Sequence, residues 1–112
     1  MRNFIYIACP YMHEDMSVML SRVKASERYF ASLVSDGIFA INPISCHYAA
    51  RDNDLELGWE FWEAMDKKLI DISKEIHVLQ LSGWQESRGV QSEIAYANES
   101  GIPICYVSGI EI

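Results

Sequence analysis

Short apolar runs alternate with longer helical patterns along the chain, and this alternation restricts the fold more than any other feature. Residues 4–8 form an almost unbroken apolar run that Pro10 ends, as is typical of a central parallel strand. Apolar residues then recur at helical spacing over about 15–34, and a second short apolar run follows at 38–41. We therefore expect a β-α-β unit with a parallel strand pair and a right-handed crossover.

The second half of the chain continues the alternation. The pattern predicts a helix over 55–72, a strand over 76–81, a helix that begins at Ser87 and a last strand over 102–107. Residues 44–54 lack a regular pattern and are predicted to form a loop, a type of segment that is often functional. The 112 residues should thus form one domain, a doubly wound (Rossmann-like or flavodoxin-like) α/β domain with a parallel sheet of four to five strands flanked by helices.

Ligands bind to such sheets beyond the carboxyl ends of the strands, at the point where the strand order reverses. Three segments should lie there: Cys9 to Tyr11, residues 43–54, and Ser82 to Gly89. Neither the G-x-G-x-x-G fingerprint nor the G-x-x-x-x-G-K-[ST] loop is present. An NAD-dependent dehydrogenase or a P-loop enzyme is therefore not supported.

Charge and composition exclude several functional classes. The formal net charge of −7 argues against binding to nucleic-acid polymers, which requires a basic surface. No apolar run is long enough for a membrane span or a signal peptide, so neither a membrane partner nor export is expected. The odd number of cysteines (Cys9, Cys46, Cys105) indicates reduced thiols in a cytoplasmic protein.

The histidines His13, His47 and His77 are scattered along the chain, so neither a metal site nor a cofactor is predicted.

The segment from Ser82 to Ala97 is the best candidate for a site. Ser87 is a natural N-cap for the following helix. Glu93 lies one turn after Gly89, and because helical side chains lean toward the N-terminus, its carboxylate should lie over that glycine. A carboxylate beside free N–H groups at a helix start would suit a phosphorylated sugar. The alternative is structural, since a single Glu on such a helix is usually solvated.

Three motifs in order give the chain a resemblance to the nucleoside 2-deoxyribosyltransferase-like superfamily, particularly its small phage and bacterial members of unknown function. The segment 5–11, I-Y-I-A-C-P-Y, resembles the family's opening I-Y-x-A-G-P-Y. The segment 66–70, D-K-K-L-I, resembles the helix with an Asp ahead of the central strand. The segment 87–97 matches the pattern S-x-G-x-x-x-E-x-x-x-A. The ending G-I-P-I at 101–104 is similar to the family's G-K-P-V.

The resemblance implies cleavage of an N-glycosidic bond, by hydrolysis or transfer, in a nucleotide or deoxynucleotide 5′-monophosphate. It makes Glu93 the nucleophile that attacks the anomeric carbon and Asp66 the acid that assists departure of the base, with Asp71 as the alternative. Glu93 must be ionised for this role, and the positive end of its own helix should favour the charged form. The non-catalytic alternative is a nucleotide-binding or signalling module on the same fold.

The resemblance also implies a set of substrate-binding residues at the two ends of the site: Tyr6, Ala8, Cys9, Pro10, Tyr11, Ser87, Arg88 and Gly89. Ser87 occupies the position of the serine with which the family's 5′-monophosphate glycosidases bind phosphate. Two residues depart from the family pattern, because Cys9 replaces the usual Gly and Met12 stands where those glycosidases have an Arg. The expected partner is a small nucleoside or nucleotide.

Aromatic residues on the helix predicted over 55–72 indicate self-association. Trp59 and Trp62 are interpreted as core or subunit interface rather than as walls of a ligand site. Phe61 lies between them, and adjacent helical positions are about 100° apart, so one face cannot bury all three rings. We therefore expect a homodimer through this helix.

Overall fold

A computed structural model describes residues 2–110 and contains a single sheet of four parallel strands flanked by helices, which confirms the predicted α/β fold. The strand order is β2-β1-β3-β4, so the order reverses between β1 and β3. The strands are β1 (Phe4–Ala8), β2 (Ala40–Ile41), β3 (Ser73–Leu79) and β4 (Ile104–Val107). The helices are α1 (Met16–Ser35), α2 (Pro43–Asp52), α3 (Trp59–Asp71) and α4 (Arg88–Glu99), with a short 3₁₀ turn at Trp84–Glu86.

Two apolar clusters cover the two faces of the sheet. On the first face, Ile5 and Ile7 of β1 pack with Met19 and Val23 of α1. On the second face, side chains of β1 and β3 pack against Ile70 of α3 and against Val90 and Ala97 of α4. The strand residues are Tyr6, Ala8, Ile76 and Val78. Strand β1 is central, since it pairs with both β2 and β3, and the two clusters cover both of its faces, which is why its sequence is an unbroken apolar run.

Residues 43–52 form a helix, so the prediction of an irregular loop over 44–54 is wrong. Pro43 is the first residue of α2, a position where the missing N–H has no helical partner in any case. The sequence contains few strong helix formers here, and packing supplies the difference, since Ile44 is buried in the cluster on the α1 face. As a result Ile44, His47 and Arg51 lie on one side of α2.

The remaining elements follow the predicted order with shifted ends. Helix α1 spans Met16–Ser35 and α4 is capped by Ser87, both as predicted. Helix α3 begins later than predicted, at Trp59, because Gly58 is its N-cap. Strand β3 begins earlier, at Ser73, and β4 begins at Ile104, directly after Pro103.

Arg22 of α1 ties together the loops that follow β1 and β3. Its buried guanidinium donates hydrogen bonds to the carbonyls of Tyr11 (3.4 Å), Met12 (3.0 Å) and Ser82 (3.0 Å). Gly83 has a φ of +90°, and a Cβ there would lie 2.7 Å from Arg22 Nη2. This arrangement fixes both loops at the point where the strand order reverses.

Candidate functional site

A cavity of about 630 Å³ lies at this point of strand reversal. Its walls come from the loop after β1, from α2 and α3, and from the 3₁₀ turn and the start of α4. Seven of the residues predicted for the site line it: Cys9, Tyr11, Asp66, Ser87, Arg88, Gly89 and Glu93. Three others do not line it, because Ala8 and Pro10 are buried in the protein and Tyr6 lies beneath Glu93.

Glu93 forms the floor of the cavity, and Tyr6 lies beneath it. The Tyr6 hydroxyl donates a hydrogen bond to Glu93 Oε2, and the Tyr6 side chain is fully buried. A Cβ on Gly89, one turn before Glu93, would meet only Ser87 Oγ at 4.0 Å, so no Glu93 side-chain atom lies within 4 Å of that position. Gly89 and Glu93 both line the cavity, and the placement of the carboxylate over Gly89 stays a prediction.

The protonation of Glu93 differs from the expectation. Burial, followed by the negative charge of Asp66, raises the pKa of Glu93 to about 8, although the hydrogen bond from Tyr6 lowers it. Burial, together with the negative charges of Glu93 and Asp66, also raises the pKa of Tyr6 well above its usual range. Desolvation and the Asp66 charge thus outweigh the helix terminus, and the pKa of Glu93 favours the protonated form at neutral pH.

Asp66 of α3 faces the cavity, and its rival Asp71 does not. His47 Nε2 lies 3.4 Å from Oδ2 and 3.5 Å from Oδ1 of Asp66. Asp71, at the end of the same helix, is exposed and accepts a hydrogen bond from the Tyr96 hydroxyl at 2.6 Å. Of the two acids that the sequence left open, only Asp66 is placed beside Glu93.

His47 is a site residue that sequence reasoning missed. Its ring stacks on Trp62 at a centroid distance of 4.1 Å, and Tyr11 packs against it edge-on at 6.1 Å. No motif surrounds His47, so it was grouped with scattered histidines. The one available signal was Pro43 at a helix start, since a helix from there places His47 on the same side as Ile44.

Trp59 and Trp62 are half-buried and line the cavity, so neither is a core residue; their interpretation as part of a subunit interface stays a prediction. The Arg88 guanidinium lies over the Trp59 ring at 4.0 Å. Trp62 supports His47 and is met edge-on by Phe61 at 5.1 Å. Packing from α2 and α4 thus turns these rings into walls of the site.

The start of α4 forms the polar rim of the cavity. The Ser87 hydroxyl accepts a hydrogen bond from the Val90 N–H at 3.2 Å, which confirms the predicted N-cap. Charged residues of both signs line the cavity (Arg51, Lys67, Arg88; Glu56, Glu63, Asp66, Glu86, Glu93). Lys67 Nζ forms an ion pair with Glu63 Oε2 at 3.8 Å. The other positively charged side chains of the lining are Arg51 and Arg88.

Comparison with known proteins identifies a family without an assigned activity. The family described as a domain of unknown function (DUF1937) matches residues 3–108, so the chain belongs to this family. No curated protein matches the chain.

Within residues 2–110 there is no group of three or more His, Cys, Asp or Glu side chains that could hold a metal ion. No helix of that range has the length and apolar character to cross a membrane.

Proposed function

We propose that this member of the family cleaves the N-glycosidic bond of a nucleotide or deoxynucleotide 5′-monophosphate, with Glu93 as the nucleophile. The observation that supports the proposal is the pairing of Glu93 with Asp66 at one cavity, with Tyr6 bonded to Glu93 from below. Two carboxyl groups with different environments, one of them strongly perturbed, are typical of sites that cleave glycosidic bonds.

In the proposed reaction, ionised Glu93 attacks C1′ of the sugar, the C–N bond breaks and the base leaves. The bond between the carboxylate and C1′ is then broken by water, which gives hydrolysis, or by a second base, which gives transfer. Since the pKa of Glu93 is about 8, Glu93 must lose its proton before it attacks. Asp66, which His47 contacts from the α2 side, takes this proton and donates it to the departing base.

The phosphate of the substrate would bind at the start of α4. The Ser87 hydroxyl can donate to a phosphate oxygen while it accepts from Val90, and the first N–H groups of a helix attract anions. Arg88 lines the same rim and supplies a positive charge. Glu86 also lines the rim and opposes an anion there, so the balance depends on Arg88 and the helix terminus.

A non-catalytic nucleotide-binding or signalling module is the second candidate. What favours it is the burial of Glu93 beside Asp66, which raises the pKa of Glu93 to about 8, because a neutral carboxyl group is a poor nucleophile. Such a module would use the same cavity to hold a nucleotide without turnover. The two candidates differ in a single measurable quantity, which is the release of free base.

We also propose that the protein acts in the cytoplasm as a homodimer. All three cysteines are free thiols, as a reducing compartment would require. The Phe61 ring is 49% exposed on α3, close to the cavity residues Trp59 and Trp62. A second copy of the chain that covers Phe61 would also restrict access to the cavity.

The test is incubation of the protein with a panel of ribonucleoside and deoxyribonucleoside 5′-monophosphates, followed by chromatography for free base. We expect base release from at least one member, and no release by Glu93→Gln. Calorimetric titration of the same panel gives the binding constants. Binding without any base release across pH 6–9 would reject the glycosidase and support the binding module.

A further inference from the structure

One ring nitrogen of His47 contacts both carboxylate oxygens of Asp66. Nε2 lies 3.4 Å from Oδ2 and 3.5 Å from Oδ1, so it is shared almost equally between them. The side chains of His47 and Asp66 are only 18% and 13% exposed, and water therefore screens this contact less than it screens an ion pair at the surface. An ionised carboxylate can only accept a hydrogen bond, so the proton between the two groups is on Nε2.

Two aromatic rings hold the imidazole in place. The His47 ring stacks on Trp62 of α3 with an angle of 31° between the ring planes, and Tyr11 of the loop after β1 packs against it edge-on. Tyr11 is itself buried. Helix α2, which carries His47, is fixed by the burial of Ile44. The orientation of the ring that contacts Asp66 is therefore set by α2, by α3 and by the loop after β1.

Asp66 needs such a restraint because it repels its other neighbour in the site. The negative charge of Asp66 acts on Glu93 and is one of the causes that raise the pKa of Glu93 to about 8. When both carboxyl groups are ionised, Coulomb repulsion favours their separation, and an aspartate carboxylate can turn away by rotation about its side-chain bonds. A donor that contacts both oxygens of Asp66 opposes that rotation.

We propose that His47 is a positioning residue, which holds the Asp66 carboxylate within reach of Glu93 and of the departing base. The inference rests on the proposed function, in which the proton moves from Glu93 to Asp66 and then to a nitrogen of the base as the C–N bond breaks. The His47 Nε2–H stays hydrogen-bonded throughout and is not transferred. Its contribution is orientation, and a displacement of about 1 Å at a reacting group can cost about a hundredfold in rate.

The experiment compares His47→Phe with His47→Gln in assays of base release, with the 5′-monophosphate that wild-type protein cleaves fastest. Phenylalanine keeps a ring against Trp62 but has no N–H, so kcat should fall about ten- to a hundredfold while KM stays within about twofold. Glutamine can place an amide N–H near the position of Nε2, so it should recover most of the loss. A merely structural role would be served better by phenylalanine and predicts the opposite order of the two variants.

A double-mutant cycle with Asp66→Asn tests whether His47 acts through Asp66. If it does, His47→Phe should have little further effect in the Asp66→Asn protein, because the group that it positions can no longer carry the proton. Urea unfolding checks that each variant is folded. His47→Asn, whose amide ends short of the Nε2 position, replaces His47→Phe if that variant does not fold.

His77→Gln is the matched control. His77 also contacts a carboxylate, with Nε2 at 3.0 Å from Glu75 Oε1, but neither residue lines the cavity. The variant should therefore leave kcat within about twofold of wild type. A loss as large as that of His47→Phe would show that any histidine–carboxylate contact in the fold affects the rate, and it would overturn the specific role of His47.

The possible results separate this inference from the proposed function. An equal loss from His47→Phe with and without Asp66→Asn, a loss confined to KM, or a His47→Gln protein slower than His47→Phe would overturn the positioning role. If wild-type protein releases base and His47→Phe is as fast, the proposed function stands and the inference fails. If wild-type protein releases no base, the glycosidase fails, and the free energies of unfolding from the same cycle decide whether His47 holds Asp66. Additive losses would then overturn the contact, and non-additive losses would uphold it.

Discussion

Two clusters of the same residue types lie on opposite faces of the sheet. On the α3–α4 face, the Tyr6 hydroxyl donates to Glu93, and Asp66, whose charge acts on Glu93, contacts His47. On the α1 face, the Tyr29 hydroxyl lies 2.6 Å from His77 Nδ1, and His77 Nε2 lies 3.0 Å from Glu75 Oε1 (this set is the α1-face cluster). Both contain a tyrosine, a histidine and a carboxylate, yet only the first borders the large cavity.

The difference lies in which cluster has side chains that face the cavity. In the middle of β3, His77 contacts Tyr29 of α1, and both of its ring nitrogens have protein partners. Tyr6 lies at the same level of the sheet, paired with Ile76, but Glu93, Asp66 and His47 line the cavity that a ligand can enter. The residue types alone therefore do not identify a site, and access to the cavity does.

The largest effect is expected when Glu93 and Glu75 are each replaced by glutamine. Glu93→Gln keeps the size and the hydrogen bond from Tyr6 but removes the nucleophile, so base release should fall by about a thousandfold or more. Glu75→Gln makes the matched change in the α1-face cluster and should leave base release within about twofold of wild type. Rates from both variants at saturating substrate check this, and similar losses in the two would reject the distinction between the clusters.

The caps of the helices on the two faces provide the second test. Ser87 caps α4 at the cavity, and Asp15 caps α1 through the Ser17 N–H at 2.9 Å. Ser87→Asp keeps a capping oxygen but adds negative charge, so affinity for a nucleoside monophosphate should fall about ten- to a hundredfold while that for the bare nucleoside changes little. Asp15→Ser is the control and should alter neither. Titration of wild type with nucleoside and monophosphate would contradict the phosphate site if both bound equally.

The third test uses stability and does not depend on activity. The pKa of Glu93 is raised from its usual 4.5 to about 8 in the folded protein, so the folded state holds this proton more tightly than the unfolded state. The free energy of unfolding should therefore fall as the pH rises between these values, by at most about 1.4 kcal/mol per pH unit.

Urea unfolding at pH 5, 6.5 and 8 measures this slope. Glu93→Gln should remove the contribution, and Asp66→Asn should make the fall end at a lower pH, because the Asp66 charge raises the pKa of Glu93 in the folded protein only. Glu75→Gln should keep the wild-type slope. The same slope in wild type and Glu93→Gln would show that Glu93 has an ordinary pKa.

The smallest expected effect concerns assembly and compares apolar side chains on two helices. Phe61 of α3 is 49% exposed and Val34 of α1 is 47% exposed, but only Phe61 adjoins the cavity residues. If the α3 side forms the homodimer, Phe61→Glu should halve the mass measured by light scattering, and Val34→Glu should leave it unchanged. A wild-type protein that is already monomeric at micromolar concentration would reject the dimer.

Local patterns predicted the fold well because each strand and most helices carry their own signal. The apolar run ended by Pro10, the glycine after α1 and the cap at Ser87 depend on neighbours in the sequence. Glu93 followed from helical spacing over Gly89, with the family resemblance assigning its role. These features require no knowledge of which parts of the chain pack together.

Tertiary packing determined the features that the sequence did not reveal. Helix α2 forms from weak helix formers because Ile44 is buried, and only this helix brings His47 to Asp66. Spacing could not choose between Asp66 and Asp71, which differ in the face of α3 that meets the cavity. The raised pKa of Glu93 likewise depends on burial and on a carboxylate from another helix.

The three thiols of the chain differ in chemical accessibility in a way that provides a built-in labelling scheme. Cys9 is buried, and burial together with the Glu93 charge raises its pKa to about 12, so the reactive thiolate form is scarce at neutral pH. Cys46 and Cys105 are exposed. A maleimide dye should attach to these two first. With Cys105→Ser, the remaining dye on α2 would report movement of that wall when a ligand enters, without any change to the residues that line the cavity.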